Sequence, residues 1–210
     1  MKEKFEQIST EPCPYISIAH FDGLEDFKTS LKRNLRQDIN RRIRRAEATG
    51  TLQYKVYNTE EMNKVKAVLP QMLHFHRLRW PNAYKAPHFH ENLLERGIKE
   101  GKVHFSQLSI NEQGVSWRIG FVYKDTYYSY MPTIHPKYKD LSVGKIHLTY
   151  CIADAINKHL KTYDQLRGNE LYKSEWTETQ RPVYSFRLRH TSLTANIKRG
   201  ICQIAKLIKK

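Results

Sequence analysis

The sequence has little cysteine and no long apolar run. Its three cysteines, Cys13, Cys151 and Cys202, are odd in number, far apart and in no spacing typical of metal ligands. No apolar stretch approaches the roughly 20 residues needed to span a bilayer. The first ten residues, MKEKFEQIST, lack the apolar region of a signal peptide. These absences exclude a disulfide framework and predict a reduced, cytoplasmic protein.

Acidic residues are also scarce. The chain carries 21 Asp and Glu against 36 Lys and Arg, a net charge of +15. A positive field of this size attracts nucleic acid, anionic lipid or a phosphate-rich ligand, and charge alone does not choose among them. Hydrophobic residues make up 40% and aromatic residues 11% of the 210 positions, which excludes a disordered chain and allows one domain with a real core.

The histidines do not form a metal-binding pattern. His74 and His76 are two residues apart, so on a helix they point to different faces and cannot share a metal ion. The HFH segment from His88 to His90 chelates only in an extended conformation, and no cysteine or acidic partner stands at ligand spacing. The sequence therefore predicts no bound metal.

Apolar spacing in the N-terminal part predicts a strand followed by one long basic helix. The segment PYISIAH alternates as a strand does, and Leu24 to Glu47 repeats apolar residues at steps of three and four, with Gly50 as a stop signal. Eight lysines and arginines cover the other faces of this helix. They indicate either a solvated surface or a surface that binds anions.

The rest of the chain predicts a mixed sheet. Three alternating segments, HFSQLSI, SWRIGFVY and YYSYMPTIH, predict an antiparallel meander, after a strand at LQYKVYN and helices at about Glu60 to Trp80 and at FHENLLERGIKEG. A helix from Lys145 to Leu160 predicts a right-handed crossover to the parallel strand TYDQL. A last strand, RPVYSFRLRH, precedes a basic amphipathic helix from Leu193 to Lys210. We expect one α/β domain with the N-terminal strand and helix in 1–50, the core in 51–190 and the amphipathic helix in 191–210.

The turn DLSVGKIH opens the predicted crossover helix. The backbone N–H groups of a helix N-terminus are unpaired and carry about half a positive charge, which suits phosphate. Gly144 lets a pyrophosphate approach the backbone, and lysines at positions 137, 139 and 145 add positive potential. The alternative is a simple helix cap with a glycine in the turn.

The segment YDQLRGNELYKSEW follows the end of a predicted strand, where ligands of open α/β sheets collect. Tyr172 can donate a proton, Glu170 or Asp164 can accept one, and Lys173 can hold an anion. The alternative is a surface turn with a solvated Glu–Lys pair and a packed Trp176. Near the end of an earlier helix, Arg79 and Trp80 suit either the lining of a pocket or packing.

Five segments together resemble the acetyltransferase domain of the GNAT superfamily, in its CelD-like branch, related to the Fem-type peptidyl transferases. They are CPYISI, LKRNLRQDINRRIRRAEATG, LHFHRLRW, YKDLSVGKIHL and YDQLRGNELYKSEW. The turn differs from the family pattern, because Val143 stands where a proline usually precedes the glycine. The resemblance implies a mixed, mostly antiparallel sheet flanked by helices, with a V-shaped splay between central strands.

The resemblance also implies a reaction: transfer of an acyl group from acetyl-CoA, or another acyl-CoA, to an amine. The pyrophosphate would lie on the turn formed by Leu141, Ser142, Val143, Gly144, Lys145 and Ile146. Tyr172 would protonate the leaving thiolate, and Glu170, Asp164 or His135 would take the proton of the amine. The acceptor would contact Lys173, Trp80, Arg79 and Trp176. Members of this branch act in cell-envelope assembly, which implies an amino sugar of cell-surface polysaccharide, free or nucleotide-linked, as an anionic or sugar-linked acceptor.

Two other readings stay open on the sequence. One is an aminoacyl-tRNA-dependent transferase of the Fem type, in which the arginine run would hold RNA phosphates. The other is a non-enzymatic basic module that binds nucleic acid or a membrane surface through the arginine run and the C-terminal helix. The alternative for the C-terminal helix is a plain core helix that docks on the domain. For the acyltransferase we expect no stably bound nucleic acid, and peripheral contact with the anionic inner face of the membrane.

Overall fold

The computed structural model describes residues 3–83 and 86–190, which form a single seven-stranded sheet with helices on both faces. The predicted C-terminal helix lies outside the described residues. The strands are β1 (Glu3–Ser17), β2 (Leu52–Val56), β3 (Val103–Ile110), β4 (Gln113–Tyr123), β5 (Thr126–Ile134), β6 (Thr162–Asp164) and β7 (Gln180–His190). The helices are α1 (Leu24–Ser30), α2 (Arg33–Glu47), α3 (Met62–Arg79), α4 (Phe89–Lys99), α5 (Val143–Asn157) and α6 (Leu171–Trp176).

The sheet is mixed and mostly antiparallel, as predicted. Its order is β2-β3-β4-β5-β6-β1-β7, and β3, β4 and β5 form the expected meander. The β5–β6 pair is parallel, and α5 makes the crossover that joins these two strands. No helix in the ranges 3–83 and 86–190 is long and apolar enough to cross a membrane.

Two apolar layers fix the helices to the sheet. On one face, α1, α2 and α5 bury residues such as Phe27, Ile39 and Ile152. On the other face, α3 and α4 pack against Trp117 and Ile119 of β4. From Ser116 onward, alternation along β4 sends odd-numbered residues to the α3 face and even-numbered residues to the α5 face. Before Ser116 the register shift opposite Leu108 and Ser109 places Val115 in the cluster with Val143 and Ile146 of α5.

The predicted helix from Leu24 to Glu47 is two helices. Leu31 has extended backbone (ψ 151°), and Lys32 also leaves the helical region (ψ 135°). Just before the break, the Ser30 hydroxyl donates to the carbonyl of Phe27 at 2.7 Å, a local bond that competes with helix continuation. Because Leu31 and Leu35 are both buried, the apolar stripe continues across the break, and this continuity made a single helix the expectation.

Strands β5 and β6 separate after a short parallel pairing. Their register ends at Tyr128↔Asp164, whereas β5 continues to Ile134. Opposite β4, the register shifts so that Gly120 faces Ser129 and Ile119 faces Met131, which leaves Tyr130 as a bulge residue. A bulge bends its strand and increases the local twist. The sheet therefore opens at the carboxyl ends of β5 and β6, as the predicted V-shaped splay requires.

We expect Gly120→Ala to destabilise this sheet. A Cβ at Gly120 would overlap the ring of Tyr127, which is 1% exposed and stacked on Tyr163 with ring centroids 4.8 Å apart. Overpacking a core that cannot relax costs about 1–3 kcal/mol. Urea unfolding followed by circular dichroism measures the change. Gly23→Ala is the matched control, because nothing lies within 4 Å of its added Cβ. Equal stability of the two variants would contradict the packing argument.

Candidate active site

Two neighbouring cavities lie where β5 and β6 separate. The first, called the α5 cavity, has a volume of about 610 Å³. It is lined by Phe75, His76, Leu78, Arg79, Arg118, Pro132, Thr133, Ile134, Pro136, Lys139, Gly144, Lys145, Leu148, Tyr172 and Trp176. The second, called the loop cavity, has a volume of about 350 Å³. It is lined by His76, Arg79, Trp80, Ala83, His90, Ser129, Tyr130, Met131, Pro132, Gln165, Leu166, Arg167, Glu170, Tyr172 and Lys173.

Four residues line both cavities and mark where they meet. His76 and Arg79 come from the last turn of α3, Pro132 from the free part of β5, and Tyr172 from α6. The α5 cavity thus extends from the first turn of α5 to Tyr172, and the loop cavity continues on the other side of this residue. Two ligands that enter from opposite sides would meet beside Tyr172.

The first turn of α5 forms one end of the α5 cavity. Ser142 precedes the helix in the left-handed conformation (φ 54°), and its carbonyl accepts from the N–H groups of Lys145 at 2.9 Å and Ile146 at 3.3 Å. Val143 and Gly144, which come before them, have no intrahelical carbonyl to which their N–H groups can donate. The helix begins at Val143 rather than at the predicted Lys145, after a 3-10 turn over Pro136–Leu141.

Only part of the predicted turn can offer side chains to a ligand. Val143 and Ile146 are 0% exposed and belong to the core, and Leu141 packs against the same core cluster. Ser142, Gly144 and Lys145 are partly exposed. The N–H groups of Val143 and Gly144 and the side chain of Lys145 are therefore what this turn presents to an anion.

A cluster of charges joins α2 to this turn. The Arg42 guanidinium donates to the Ser142 hydroxyl and, at 2.7 Å, to Asp38. The Lys145 ammonium lies 2.9 Å from Asp38 and 2.6 Å from Glu175. Partial burial works to raise the pKa of Asp38, but the hydrogen bonds from Arg42, Lys145 and Arg41 outweigh it and hold that pKa well below its usual range. Asp38 therefore stays ionised and fixes cations beside the helix N-terminus.

Tyr172 and Glu170 lie where the sequence placed them, at the end of the splay. Tyr172 is partly buried and packs against the core cluster of α1, α2 and α5. Glu170 precedes α6, and its carboxylate lies 2.9 Å from the Lys173 ammonium. Burial works to raise the pKa of Glu170, but the hydrogen bond from Lys173 lowers it below the ordinary value. Glu170 is thus an ionised carboxylate at the wall of the loop cavity.

Lys173, predicted to hold a substrate anion, lines the loop cavity and makes bonds within the chain. Its side chain is buried, and the ammonium donates to the carbonyls of Leu166 at 3.2 Å and Arg167 at 2.9 Å as well as to Glu170. A lysine has three N–H donors, and all three are used here. Lys173 therefore holds the loop between β6 and α6 in shape.

Two of the three predicted bases do not line either cavity. Asp164 is 0% exposed and accepts from Arg181 and from the Leu166 N–H, the latter at 2.7 Å. His135 accepts the Lys137 N–H through Nδ1, and its ring centroid lies 4.4 Å from that of Phe75. Neither residue lines the α5 cavity or the loop cavity. Their side chains are engaged in structure, which leaves Glu170 as the predicted base that faces a cavity.

The remaining predicted residues divide between wall and core. Trp80 is 50% exposed at the end of α3, with the Arg79 guanidinium 5.6 Å from its ring centroid, and both face the loop cavity. Trp176 is 6% exposed and lies parallel to Phe27, so most of its ring belongs to the core and one edge reaches the α5 cavity.

Sequence reasoning missed two residues of the cavities. His76 lies one helical turn before Arg79 and Trp80, a spacing that places them on one face. Burial is the main reason why its pKa falls to about 4, with His90 and Arg79 adding to the effect, so the imidazole is neutral at neutral pH. Arg118 reaches the α5 cavity from the middle of β4. Its signal was a single charge in the otherwise apolar strand SWRIGFVY. In 3–83 and 86–190 no three His, Cys, Asp or Glu residues are grouped as metal ligands would be.

Residues 33–174, more than half of the chain, match the family model described as the acetyltransferase (GNAT) domain. The chain belongs to the GNAT acetyltransferase family. No curated protein matches the sequence. The matched range includes β5, α5 and β6, so the splay and its crossover helix lie inside the GNAT domain.

The GNAT domain is also similar in fold to several solved structures. The C-terminal domain of a protein described as a lysylphosphatidylglycerol synthetase from Agrobacterium fabrum is 9% identical, with a TM-score of 0.66 over 94% of this chain and 65% of that chain. FemX is 8% identical, with a TM-score of 0.62 over 81% and 59%. An aminoglycoside acetyltransferase from an uncultured soil metagenomic sample, in complex with sisomicin, is 10% identical, with a TM-score of 0.51 over 67% and 97%. The GNAT domain therefore spans less than two thirds of the first two chains, and at these identities the likeness shows the fold alone.

The role of Lys173 in the loop can be tested by hydrogen exchange. Removal of a hydrogen bond to a charged group costs about 1.5–3 kcal/mol, and about 1.4 kcal/mol is a factor of ten in an opening equilibrium. Lys173→Ala should therefore speed amide exchange at Leu166 and Gly168 by about tenfold or more. Lys99→Ala, which removes an exposed lysine at the end of α4, should leave these amides unchanged. Unchanged exchange in Lys173→Ala would contradict the structural role of Lys173 in this loop.

Proposed function

We propose that this GNAT domain transfers an acyl group from an acyl-CoA, with acetyl-CoA as the simplest donor, to an amine. The observation that carries the proposal is the pair of cavities that meet at Tyr172, one of which ends at the first turn of α5. A donor in the α5 cavity and an acceptor in the loop cavity would bring thioester and amine together in the splay. Such positioning supplies much of the rate of a two-substrate reaction.

The α5 turn suits the pyrophosphate of CoA. The N–H groups of Val143 and Gly144 and the dipole of α5 favour an anion at this point. Lys145 and Lys139 line the same cavity, and Arg42 approaches through Ser142. These three side chains add positive charge to that of the helix N-terminus, which favours a pyrophosphate over a less charged ligand.

The residues at the junction can carry the proton transfers. The donor supplies an activated acyl carbonyl, whose C–S bond breaks as the C–N bond forms. In this proposal Tyr172, which lines both cavities, gives its proton to the sulfur, which receives the electron pair of the broken bond. Glu170, as an ionised carboxylate, or His76, as a neutral imidazole, can accept the proton that the amine loses, directly or through water.

For the acceptor we propose an amino sugar, free or nucleotide-linked, of cell-surface polysaccharide synthesis. The support is the resemblance to the CelD-like branch together with the lining of the loop cavity. Trp80 and Tyr130 offer partly exposed aromatic rings, and Arg79 and Arg167 offer positive charge. Aromatic faces and cations suit a sugar that carries an anionic group. Since acyl-CoA is an intracellular donor, we place the reaction in the cytoplasm.

An aminoacyl-tRNA is the second candidate donor. The observation in its favour is the surface of α2, where Arg33, Arg41, Arg44 and Arg45 are exposed. This surface is continuous with the α5 turn through Arg42, so RNA phosphates could follow it into the α5 cavity. A thermal-shift comparison separates the two donors, because a ligand that binds the native state raises its melting temperature. Stabilisation by aminoacyl-tRNA, with none by acyl-CoA, would favour this candidate.

We expect Gly144→Val to weaken CoA and acetyl-CoA binding by about tenfold or more, since a side chain there blocks approach to the backbone N–H groups. A Cβ at Gly144 would lie 3.2 Å from Cγ2 of Ile134. Both residues line the α5 cavity, so the added side chain would make a tight contact and narrow the cavity. Isothermal titration calorimetry measures the affinity, and the melting temperature without ligand reports any packing cost. Gly23→Val, at an open position, is the control. Wild-type affinity in Gly144→Val would show that the phosphate site lies elsewhere.

Tyr172→Phe should reduce turnover while acyl-CoA affinity stays nearly intact. Loss of a positioned proton donor costs about 10²–10⁴ in rate. Glu170→Gln should lower the turnover rate by a similar factor or shift its pH profile. If His76 shares the role of base, the loss of rate in Glu170→Gln should be smaller than in Tyr172→Phe. Release of the CoA thiol measures turnover, with a panel of amino sugars or, in their absence, water as the acceptor. Tyr123→Phe, at a residue that is 60% exposed, is the matched control. Full activity in both Tyr172→Phe and Glu170→Gln would reduce this cluster to packing around Trp176.

A further inference from the structure

Arg118 is a buried charge that the proposed reaction does not yet use. It stands on β4 between Trp117 and Ile119, and it is 4% exposed. Its side chain points to the α5 face and lines the α5 cavity, which Tyr172 also lines. A charged side chain in this place must be compensated, because taking an ion out of water is costly.

The described part of the chain compensates Arg118 only with neutral groups. Nη1 donates to the Ser129 hydroxyl and Nη2 to the Gly144 carbonyl, both at 3.1 Å. Nε is buried and has no hydrogen-bond partner among the described residues. No carboxylate in 3–83 or 86–190 forms an ion pair with the guanidinium. The nearby ionisable groups include Tyr163 and Cys151, and burial raises the pKa of both, so they are neutral at neutral pH.

The lining of the surrounding cavity is also basic. It includes Arg79, Lys139 and Lys145 besides Arg118, and no aspartate or glutamate among the described residues. Of these cations, Lys145 is paired with Asp38 and Glu175, which lie outside the lining. Thr133, which lines the cavity beside Pro132, also has a buried hydroxyl without a partner in the described chain. Unpartnered polar atoms at the wall of a cavity are groups that a bound ligand can satisfy. The positive charge of the cavity lining favours an anionic ligand.

We propose that Arg118 binds a carboxylate of the substrate, carried either by the acyl group of the donor or by the acceptor. This inference rests on the proposed function, since it names the chemistry of a ligand in the same cavity. The phosphates of a CoA have the first turn of α5, Lys145 and Lys139, whereas Arg118 lies between α5 and the sheet. A guanidinium has a planar set of N–H donors that matches a carboxylate, and Nε and the remaining Nη hydrogens are available for it.

The donor arm of the test compares succinyl-CoA with butyryl-CoA, which have acyl chains of equal carbon number and differ in a terminal carboxylate. Calorimetry with the full chain should give the wild type an affinity for succinyl-CoA about 10- to 100-fold above that for butyryl-CoA, the range expected for a charge-assisted hydrogen bond. Arg118→Met should remove this preference and leave butyryl-CoA affinity nearly unchanged. Arg118→Lys should keep part of it. Arg96→Met, which removes one exposed positive charge on α4, should behave as wild type.

The acceptor arm uses the complex with saturating acetyl-CoA. A panel of amino sugars that carry a carboxylate is compared with a panel of the corresponding carboxamides by thermal shift, in the wild type and in the same variants. If the carboxylate belongs to the acceptor, the wild type should be stabilised by members of the first panel and not by their carboxamides. Arg118→Met should lose this difference.

The folding of Arg118→Met is checked by its melting temperature, and an apolar replacement of similar volume for a buried ion is often tolerated or stabilising. Absence of any carboxylate preference in the wild type, in both arms, would overturn the proposal. So would an equal loss of affinity for succinyl-CoA and butyryl-CoA in Arg118→Met, because Arg118 would then serve the phosphates. If no acyl-CoA binds the wild type, the proposed function fails and the inference fails with it.

Discussion

The early end of the β5–β6 pairing is the constraint on which both cavities depend. After Tyr128↔Asp164, the backbone donors that follow β6 are used elsewhere: the N–H of Gln165 donates to Pro14, and that of Gly168 to Pro12, each at 3.0 Å. The chain therefore follows β1 instead of β5. On the other side, the bulge at Tyr130 turns β5 away. β5 and β6 therefore separate because the chain after β6 forms its hydrogen bonds with β1, while β5 stays paired with β4 and bends at the bulge.

Asp164, one of the predicted bases, is a buried carboxylate whose contacts help to separate β6 from β5. Its carboxylate accepts the N–H of Leu166, whose left-handed backbone (φ 57°) begins the departure from β5. Arg181 and the Cys13 thiol complete its surroundings. A carboxylate with these partners is a fixed acceptor in the structure. Lys173 likewise fixes the loop that follows, because its ammonium contacts the carbonyls of Leu166 and Arg167 and the carboxylate of Glu170.

The elements could be predicted from the sequence because their patterns are local. The meander, the crossover helix and the strand–turn–helix context of Gly144 follow from alternation and from spacing within about ten residues. The state of Asp164 could not, because its partners Cys13 and Arg181 stand far away along the chain. The break at Leu31 was missed for a related reason: burial on both sides kept the apolar period intact. Tyr172 and Glu170 were accessible to sequence reasoning because they stand two residues apart, whereas Arg118 becomes part of the site only when β4 lies beside β5.

The charge of the chain is organised around a few carboxylates. At the α5 turn, Asp38 and Glu175 hold Lys145 in place, and Asp38 also holds Arg42. Two cations so close would repel each other without them, and a free lysine would lose side-chain freedom on binding an anion. Because that ordering is already present before a ligand arrives, the cost of binding falls. Arg118 lacks such a carboxylate among the described residues. The same fold therefore contains two cations, Lys145 and Arg42, that its own carboxylates hold in place, and a buried cation, Arg118, that donates only to neutral groups among the described residues.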